Sequence, residues 1–294
     1  MNTPQVLSPT TQSLRATVLG ILVNVVLAIT KIVAGFAGNA YALIADGVES
    51  LMDIFSSGVI WGGLKIAATP ADQDHPYGHG KAEALAAFVV ALTLLATAGV
   101  LAYNSVREIL TPHHAPAAFT LAVLLGVILI KESLFRFAFK VGAEVESTAV
   151  KVEACHHRSD ALTSLAAFIG ISFSLIAGPG YESADDWAAL LACGIIAWNG
   201  VRLLRLALAE IMDSAPPAET LAQVRARAQA VPGVLAVEKC YLRKSGMAYF
   251  ADLHVIVDRN LTVREGHEIA HHVKDALRAS PLRIAEALIH IEPD

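Results

Sequence analysis

The sequence predicts an α-helical membrane protein with six transmembrane helices and a small C-terminal α+β domain. The chain of 294 residues is 55% hydrophobic and 17% charged, with a mean hydropathy of +0.54. Charged residues make up about a quarter of an ordinary soluble domain, so this composition favours a polytopic membrane protein. Long apolar segments fill the chain up to residue 212, whereas residues 213–294 have the composition of a soluble domain. We therefore predict a transmembrane domain at 1–212 and a cytoplasmic domain at 213–294.

Six apolar segments are long enough to cross a hydrocarbon core of about 30 Å, which takes roughly 20 helical residues. They are residues 18–38, 40–68, 84–103, 117–139, 148–177 and 187–209. The second, fourth and fifth segments carry charged residues. Because charges in lipid are costly, we expect these side chains to face the interior of the helix bundle or water.

The loop charges predict the orientation of the spans. If the N-terminus is cytoplasmic, most basic residues near the ends of the spans lie on the inner side. These residues are Arg15, Lys65, Lys81, Arg136, Lys140, Lys151, Arg202 and Arg205. The outer loops then hold only Arg107, which is a strong positive-inside bias. Both termini are therefore expected in the cytoplasm.

The C-terminal segment has the pattern of a compact α+β unit. A Ser-Ala-Pro-Pro motif at 214–217 ends the last apolar helix. A helix is expected at 219–231, strands at 234–244 and 248–258, a second helix at 262–279 and a closing strand at 287–291. The order α-β-β-α-β predicts an open-faced sandwich. A domain of about 80 residues has a limited core, so we expect a homodimer.

Composition also excludes several classes of function. The net charge of −5 argues against nucleic acid as a partner. The three cysteines, Cys155, Cys193 and Cys240, have no CxxC spacing that would indicate a thiolate zinc site. A membrane-embedded metallohydrolase would need a motif such as HExxH, and the chain has none. We expect a protein that is not an enzyme, with no catalytic residues and no catalytic cofactor.

Two pairs of metal-ligating side chains lie in the second and fifth apolar segments. Glu49 and Asp53 are four residues apart, as are His156 and Asp160, so each pair shares one face of a helix. An ionisable residue at membrane depth indicates a functional site by default. If the two helices are neighbours, three carboxylates and one imidazole converge on a set that suits Zn²⁺, Mn²⁺ or Fe²⁺. Asp46, three residues before Glu49, is expected to stand behind this site. The alternative is that the four groups only hydrogen-bond between helices.

Two further groups of candidate ligands lie outside the apolar segments. A polar loop at the predicted inner surface contains three possible ligands within eight residues, Asp72, His75 and His79. Such a loop can bind a cation. The alternative is an ordinary surface loop that contains two histidines. In the C-terminal segment, His254 and His290 are expected on paired strands, where they offer a metal site outside the membrane. The alternative is that the exposed histidines there are simply solvated.

Three motifs make the chain resemble a known family. They are ADGVESLMD at 45–53, DHPYGHGKAE at 74–83 and HHRSDALTS at 156–164. Together with six spans and the C-terminal α+β unit, they resemble the cation diffusion facilitator family of divalent metal/proton antiporters. The chain is most similar to the bacterial ferrous-iron/zinc efflux branch.

The resemblance implies both a fold and a function. The C-terminal domain would be ferredoxin-like and would serve metal binding and dimerisation. The protein would be a homodimer in the lipid of a bacterial inner membrane and would export a divalent cation from the cytoplasm in exchange for protons by alternating access. Zn²⁺ is the first candidate, with Fe²⁺, Mn²⁺, Cd²⁺, Co²⁺ and Ni²⁺ open. A membrane-bound metal sensor or assembly scaffold without transport is the alternative.

The resemblance also implies roles for individual residues. It implies a transport site at Glu49, Asp53, His156 and Asp160, a loop site at Asp72, His75 and His79, a tail site at His254, His267, His290 and Glu292, and an interprotomer charge pair of Lys81 and Asp213. Two positions depart from the family pattern. Glu49 stands where His or Asp is usual, and Glu238 stands where related tails have a histidine.

Overall fold

The computed structural model describes residues 9–37, 41–110, 119–177 and 184–294. The chain divides into two compact units, Met1–Leu208 and Ala209–Asp294. The first unit is built from long helices, and the second contains the whole of a small sheet. The division falls within the last long helix.

Each of the six apolar segments is helical over most of its length. The helices are α1 (Pro9–Ala37), α2 (Tyr41–Ala67), α3 (Lys81–Leu110), α4 (Thr120–Glu144), α5 (Thr148–Ala177) and α6 (Ala184–Ile211). In the described part of the chain, two helical stretches, Pro9–Val33 and Lys81–Arg107, are long and apolar enough to cross a membrane. The number of spans stays a prediction.

Small residues let the helices of the first unit approach closely. A Cβ atom added to Gly63 of α2 would lie 2.4 Å from Cβ of Ala86 on α3, so a side chain there would collide. Between α3 and α5, the buried carboxylate of Glu83 accepts hydrogen bonds from the Ser147 hydroxyl at 2.5 Å and the Ala149 N–H at 3.3 Å. A carboxylate at a helix N-terminus is favourable because backbone N–H groups there lack partners. This contact fixes where α5 begins.

The second unit has the predicted order of elements. It consists of α7 (Ala218–Gln229), β1 (Ala236–Ser245), β2 (Ala248–Val257), α8 (Val263–Arg278) and β3 (Ile284–Pro293). The sheet order is β1-β2-β3, with β1 antiparallel and β3 parallel to β2. Alternate residues of β2, including Leu253 and Val255, are fully buried against the helices. The opposite face of β2 carries His254.

The closing strand is longer than predicted from the sequence. The pattern predicted residues 287–291, whereas β3 runs from Ile284 to Pro293. Its pairing with β2 extends from Tyr249 opposite Ile284 to Val257 opposite Pro293. Parallel pairing to a full-length neighbour therefore extends the strand beyond its apolar centre, and Glu292 becomes part of the sheet.

Candidate metal centres

Three predicted ligands of the first unit converge between α2 and α5. One ligand atom each from Asp53, His156 and Asp160 lies within 4.8 Å of the others. Nε2 of His156 is 2.9 Å from Oδ1 of Asp53. Asp53 and His156 are buried, and Asp160 is nearly so. The i, i+4 spacing on α5 places His156 and Asp160 on the face that meets Asp53 of α2.

A lysine that the sequence patterns did not assign to the site lies among these ligands. Nζ of Lys131 on α4 is 2.9 Å from Oδ2 of Asp53 and 2.8 Å from Oδ2 of Asp160. The side chain of Lys131 is fully buried. A buried ammonium needs paired carboxylates to offset its loss of hydration, and this site supplies two. The cluster therefore contains its own positive charge.

The sequence did contain a signal for Lys131. It is next to Glu132, which pairs with Arg136 one turn along the same helix at 2.7 Å. The positions three and four residues from Lys131 on α4 are all apolar. A lysine with no acid on its own helix face must find its counter-charge on another helix if it is buried.

The fourth predicted ligand of this cluster, Glu49, lies on α2 one turn before Asp53. Its side chain, like that of Asp46, is outside the described residues. Its place in the ligand set stays a prediction.

The predicted loop ligands also converge, between α2 and α3. Oδ1 of Asp72 is 3.2 Å from Nδ1 of His75, and Oδ2 of Asp72 is 3.4 Å from Nε2 of His79. The two imidazole rings are 4.3 Å apart between centroids. Gly78, with φ of +79°, lets the chain turn back between the two histidines.

A backbone hydrogen bond lowers the pKa of Asp72 in this loop. The N–H of His75 donates to Oδ1 of Asp72 at 2.6 Å. This backbone hydrogen bond, and then the His75 side chain, hold the pKa of Asp72 below its ordinary value of 3.8. The carboxylate is thus ready to bind a cation throughout the neutral pH range.

In the second unit, His254, His290 and Glu292 meet on the open face of the sheet. His254 of β2 pairs in register with His290 of β3. Nδ1 of His254 is 2.6 Å from Oε1 of Glu292, and Nε2 of His290 is 3.6 Å from the same oxygen. Period-2 alternation places His290 and Glu292 on one side of β3. The register of β2 and β3 brings His254 beside them.

His267, the fourth residue predicted for the tail site, lies next to another histidine of its own helix. Nε2 of His267 on α8 is 3.1 Å from Nε2 of His271, one turn along the helix. His267 and His290 both line one surface groove. Assignment of His267 to the same ion as His254 stays a prediction.

Glu238 is a neighbour of the tail cluster through Glu292. It lies at an irregularity of the β1–β2 register, between Val237 and Lys239. The neighbouring side chain of Glu238, followed by that of His254, holds the pKa of Glu292 below its ordinary value. Glu238, which stands where related tails have a histidine, thus contributes a carboxyl group to this face.

The predicted interprotomer charge pair has one member in each unit. Lys81 is the first residue of α3, and Asp213 follows the end of α6 with φ of +56°. Their pairing in a dimer stays a prediction.

Comparison with known protein families matches each unit to a domain of cation efflux proteins. Residues 17–212 match the model of the cation efflux transmembrane domain, and residues 216–294 match the model of the cytoplasmic domain of cation efflux proteins. The two matches together cover nearly the whole chain.

Three curated relatives are similar over almost the full length of the chain. Metal tolerance protein C1 of Arabidopsis thaliana is 30% identical over 94% of this chain, which spans 61% of that relative. Metal tolerance protein 2 of Oryza sativa is 31% identical over 93% of this chain and 76% of its own length. The manganese efflux system protein MneP of Bacillus subtilis is 27% identical over 96% of both chains.

Proposed function

Because the chain belongs to the cation efflux family, we propose that it exports a divalent transition-metal cation from the cytoplasm in exchange for protons, by alternating access. The observation that carries this proposal is the convergence of Asp53, His156 and Asp160 between two helices of the transmembrane domain. Oxygen and imidazole donors at this separation suit a transition-metal ion. Glu49 would complete the set from α2.

The proposed topology has α1 to α6 as six spans, with both termini in the cytoplasm of a bacterium and the protein in its inner membrane. The excess of Lys and Arg on one set of helix ends supports this orientation. The protein would act as a homodimer, with the cytoplasmic domain as the dimerisation element and Lys81 and Asp213 as the charge pair between protomers.

Lys131 supports a specific exchange at the transport site. Its ammonium bridges Asp53 and Asp160, the two carboxylates that a metal ion would use. An ion entering between them has to displace the ammonium, because two positive centres in a poorly hydrated site repel strongly. Lys131 thus acts as an internal counter-ion that keeps the carboxylates paired when metal leaves.

Protons compete with the metal at the same atoms. Binding requires deprotonated carboxylates and a neutral imidazole nitrogen, so metal loading releases protons. From the outside, protons that bind to Asp53, His156 or Asp160 favour release of the ion. An exchange of this kind needs no additional proton pathway within the site.

The donor set limits the ion to borderline and moderately hard divalent metals. Carboxylates suit Mn²⁺ and Fe²⁺, and the imidazole suits Fe²⁺, Co²⁺, Ni²⁺ and Zn²⁺. Zn²⁺ stays the first candidate from the sequence, and the similarity to a manganese efflux protein adds Mn²⁺ beside it. A transport panel over these ions and Cd²⁺ orders them, with Glu49→Asp and Glu49→His as the variants that probe selectivity.

The decisive experiment is metal flux in proteoliposomes with a pH-sensitive dye inside. We expect Asp53→Asn and Asp160→Asn each to abolish metal-driven proton movement, because each removes a charged ligand. Glu132→Gln is the matched control, since Glu132 pairs with Arg136 on the same helix as Lys131 but away from the cluster. Flux at the unmodified rate in Asp53→Asn would overturn the proposal.

The cluster of His254, His290 and Glu292 favours a second candidate, a membrane-bound metal sensor or assembly scaffold that binds metal without transporting it. The same flux assay separates the two. A sensor would bind metal through these residues while the unmodified protein moves no metal across the bilayer.

A further inference from the structure

A second group of buried polar side chains lies between α1, α2 and α5, separate from the ligands of the transport site. We call Thr17, Ser57, Glu153 and His157 the Glu153 cluster. Each of these four residues is at most 3% exposed. Buried polar groups in proteins are nearly always partnered, by protein, water or an ion, and a group without a protein partner requires an explanation.

The carboxylate of Glu153 is only half satisfied. Its Oε2 accepts a hydrogen bond from the Thr17 hydroxyl at 2.9 Å. Its Oε1 has no hydrogen-bond partner among the described residues. Ser57 lies near the carboxylate, but its hydroxyl makes no hydrogen bond within 3.5 Å to any residue that the structure describes. The described residues form no ion pair with Glu153, and the charge that acts on its carboxyl group is that of His156, a ligand of the transport site.

His157 contributes another unpartnered atom beside the same carboxylate. Nδ1 of His157, one turn after Glu153 on α5, is buried without a hydrogen-bond partner in the described part of the chain. A carboxylate, an imidazole and two hydroxyl groups thus surround a position that a shared ligand could fill.

Gly20 leaves room for such a ligand. A Cβ atom added at this position of α1 would lie 3.2 Å from Nε2 of His157 and 3.7 Å from Oε1 of Glu153. Both atoms therefore border the same small space over the backbone of α1. Because residue 20 has no side chain, the ring nitrogen and the carboxylate oxygen stay accessible to a common partner.

The cluster adjoins the transport site, because His157 follows the ligand His156 directly and their ring centroids are 6.3 Å apart. Ser57 is one turn beyond Asp53 on α2, and Glu153 is seven residues before Asp160 on α5. With a rise of 1.5 Å per residue, these separations are about 6 and 10 Å along the helix axes. In the proposed topology, both displacements are towards the cytoplasm.

We propose that the Glu153 cluster is a second cation site, which holds a partly hydrated divalent transition-metal ion between the cytoplasm and the transport site. Glu153 Oε1 and the His157 imidazole would bind the ion, and the Thr17 and Ser57 hydroxyls would orient its water. An oxygen-rich set with one imidazole suits Mn²⁺, Fe²⁺ or Zn²⁺. The existence of this second site does not depend on the proposed function. Its role in loading the transport site does rest on the proposed function.

The charge distribution explains why an ion would stop here first. The carboxylates of Asp53 and Asp160 are already paired with Lys131. The carboxylate of Glu153 has no such partner among the described residues. An incoming cation therefore meets the carboxyl group of Glu153, which is held by no ammonium among the described residues, before it reaches carboxylates that it must take from Lys131.

The test counts Mn²⁺ ions bound to the purified full-length protein in lipid nanodiscs, using the EPR signal of free Mn²⁺. Asp72→Ala and His254→Ala are introduced first to remove the loop and tail sites. We expect about two ions per protomer in this background and about one after either Glu153→Gln or Asp53→Asn. Glu132→Gln is the control and should leave the count unchanged.

An unchanged ion count in Glu153→Gln overturns the inference, since the cluster then holds water alone. If Glu153→Gln does not fold, His157→Gln gives the same test with a neutral side chain at the second ligand. Transport separates the two proposals. Normal flux in Asp53→Asn refutes the proposed function, whereas normal flux and a full ion count in Glu153→Gln refute only this second site.

Discussion

The ammonium of Lys131 lies 2.8 Å from Oδ2 of Asp160, in the centre of the cluster proposed to carry the metal. Its second contact, at 2.9 Å, is to Oδ2 of Asp53. One lysine from α4 thus joins a carboxylate from α2 to a carboxylate from α5. A metal ion that binds as proposed has to replace these contacts between the three helices.

Replacement of Lys131 by methionine is expected to tighten metal binding. Without the competing ammonium, the dissociation constant should fall about tenfold or more, which corresponds to about 1.4 kcal/mol. The metal-free protein should lose about 3–5 kcal/mol of unfolding free energy, because two buried carboxylates lose their counter-ion. Calorimetric titration and thermal unfolding with and without metal measure both effects.

Lys140→Met is the matched control for this variant. Lys140 is on the same helix, its side chain is 78% exposed and its contact to Glu144 is 4.0 Å. Exposed pairs of this kind contribute about 0–1 kcal/mol, so affinity and stability should hardly change. If Lys131→Met binds metal no more tightly than Lys140→Met, the ammonium does not compete for the metal position.

Two adjacent glycines of α2 should respond oppositely to alanine. A Cβ at Gly63 would meet Cβ of Ala86 at 2.4 Å, so Gly63→Ala must push α2 and α3 apart at a cost of about 1–3 kcal/mol. A Cβ at Gly62 meets nothing within 4 Å, and Gly62→Ala should gain about 0.5–1 kcal/mol through helix propensity. Thermal unfolding in nanodiscs compares them. Equal effects would contradict the close helix contact.

Local periodicity was sufficient to predict most elements and several ligands. The i, i+4 spacing of His156 and Asp160 predicted a shared helix face, and alternation predicted that His290 and Glu292 share a side of a strand. These patterns depend only on helix and strand geometry. The order α-β-β-α-β of the second unit was predicted for the same reason and is confirmed.

Contacts between distant elements could not be read from spacing. Lys131 joins residues that are 78 and 29 positions away in sequence, and Thr17 reaches Glu153 over 136 positions. A buried charge indicates that some partner exists, but helix packing decides which one. The environment of Glu153 could not be predicted for the same reason. From the sequence, a single acid in the first turns of α5 is expected at the membrane surface, and only the packing of α1 against α5 shows that it is buried.

The loop between α2 and α3 offers a test that separates charge from backbone hydrogen bonding. Asp72→Asn keeps an oxygen that accepts from the His75 N–H but loses the negative charge. We expect protection of the His75 amide from hydrogen exchange to persist in Asp72→Asn, while metal binding at the loop weakens. Asp72→Ala should lose both. Equal loss of protection in the two variants would show that charge alone orders the loop.

The pH dependence of this loop follows from the direction of the Asp72 shift. The backbone N–H of His75 holds the pKa of Asp72 below 3.8, so the charged form is favoured in the folded loop. Its contribution to loop order is present above about pH 4 and is lost as the pH falls through the lowered pKa. Hydrogen exchange of the loop from pH 3 to 7 measures this, and a transition near pH 6 would contradict it.

Two glutamates of β3 provide the last comparison. Glu292 meets His254 and His290, whereas Glu286 pairs with Lys274 of α8. In a background with Asp53→Asn and Asp72→Ala, we expect Glu292→Gln to weaken Zn²⁺ binding at least about tenfold, since it removes an anionic ligand. Glu286→Gln should leave the affinity unchanged. Because both variants remove one charge from the same strand, a general electrostatic effect would weaken both equally, and only a ligand role for Glu292 separates them.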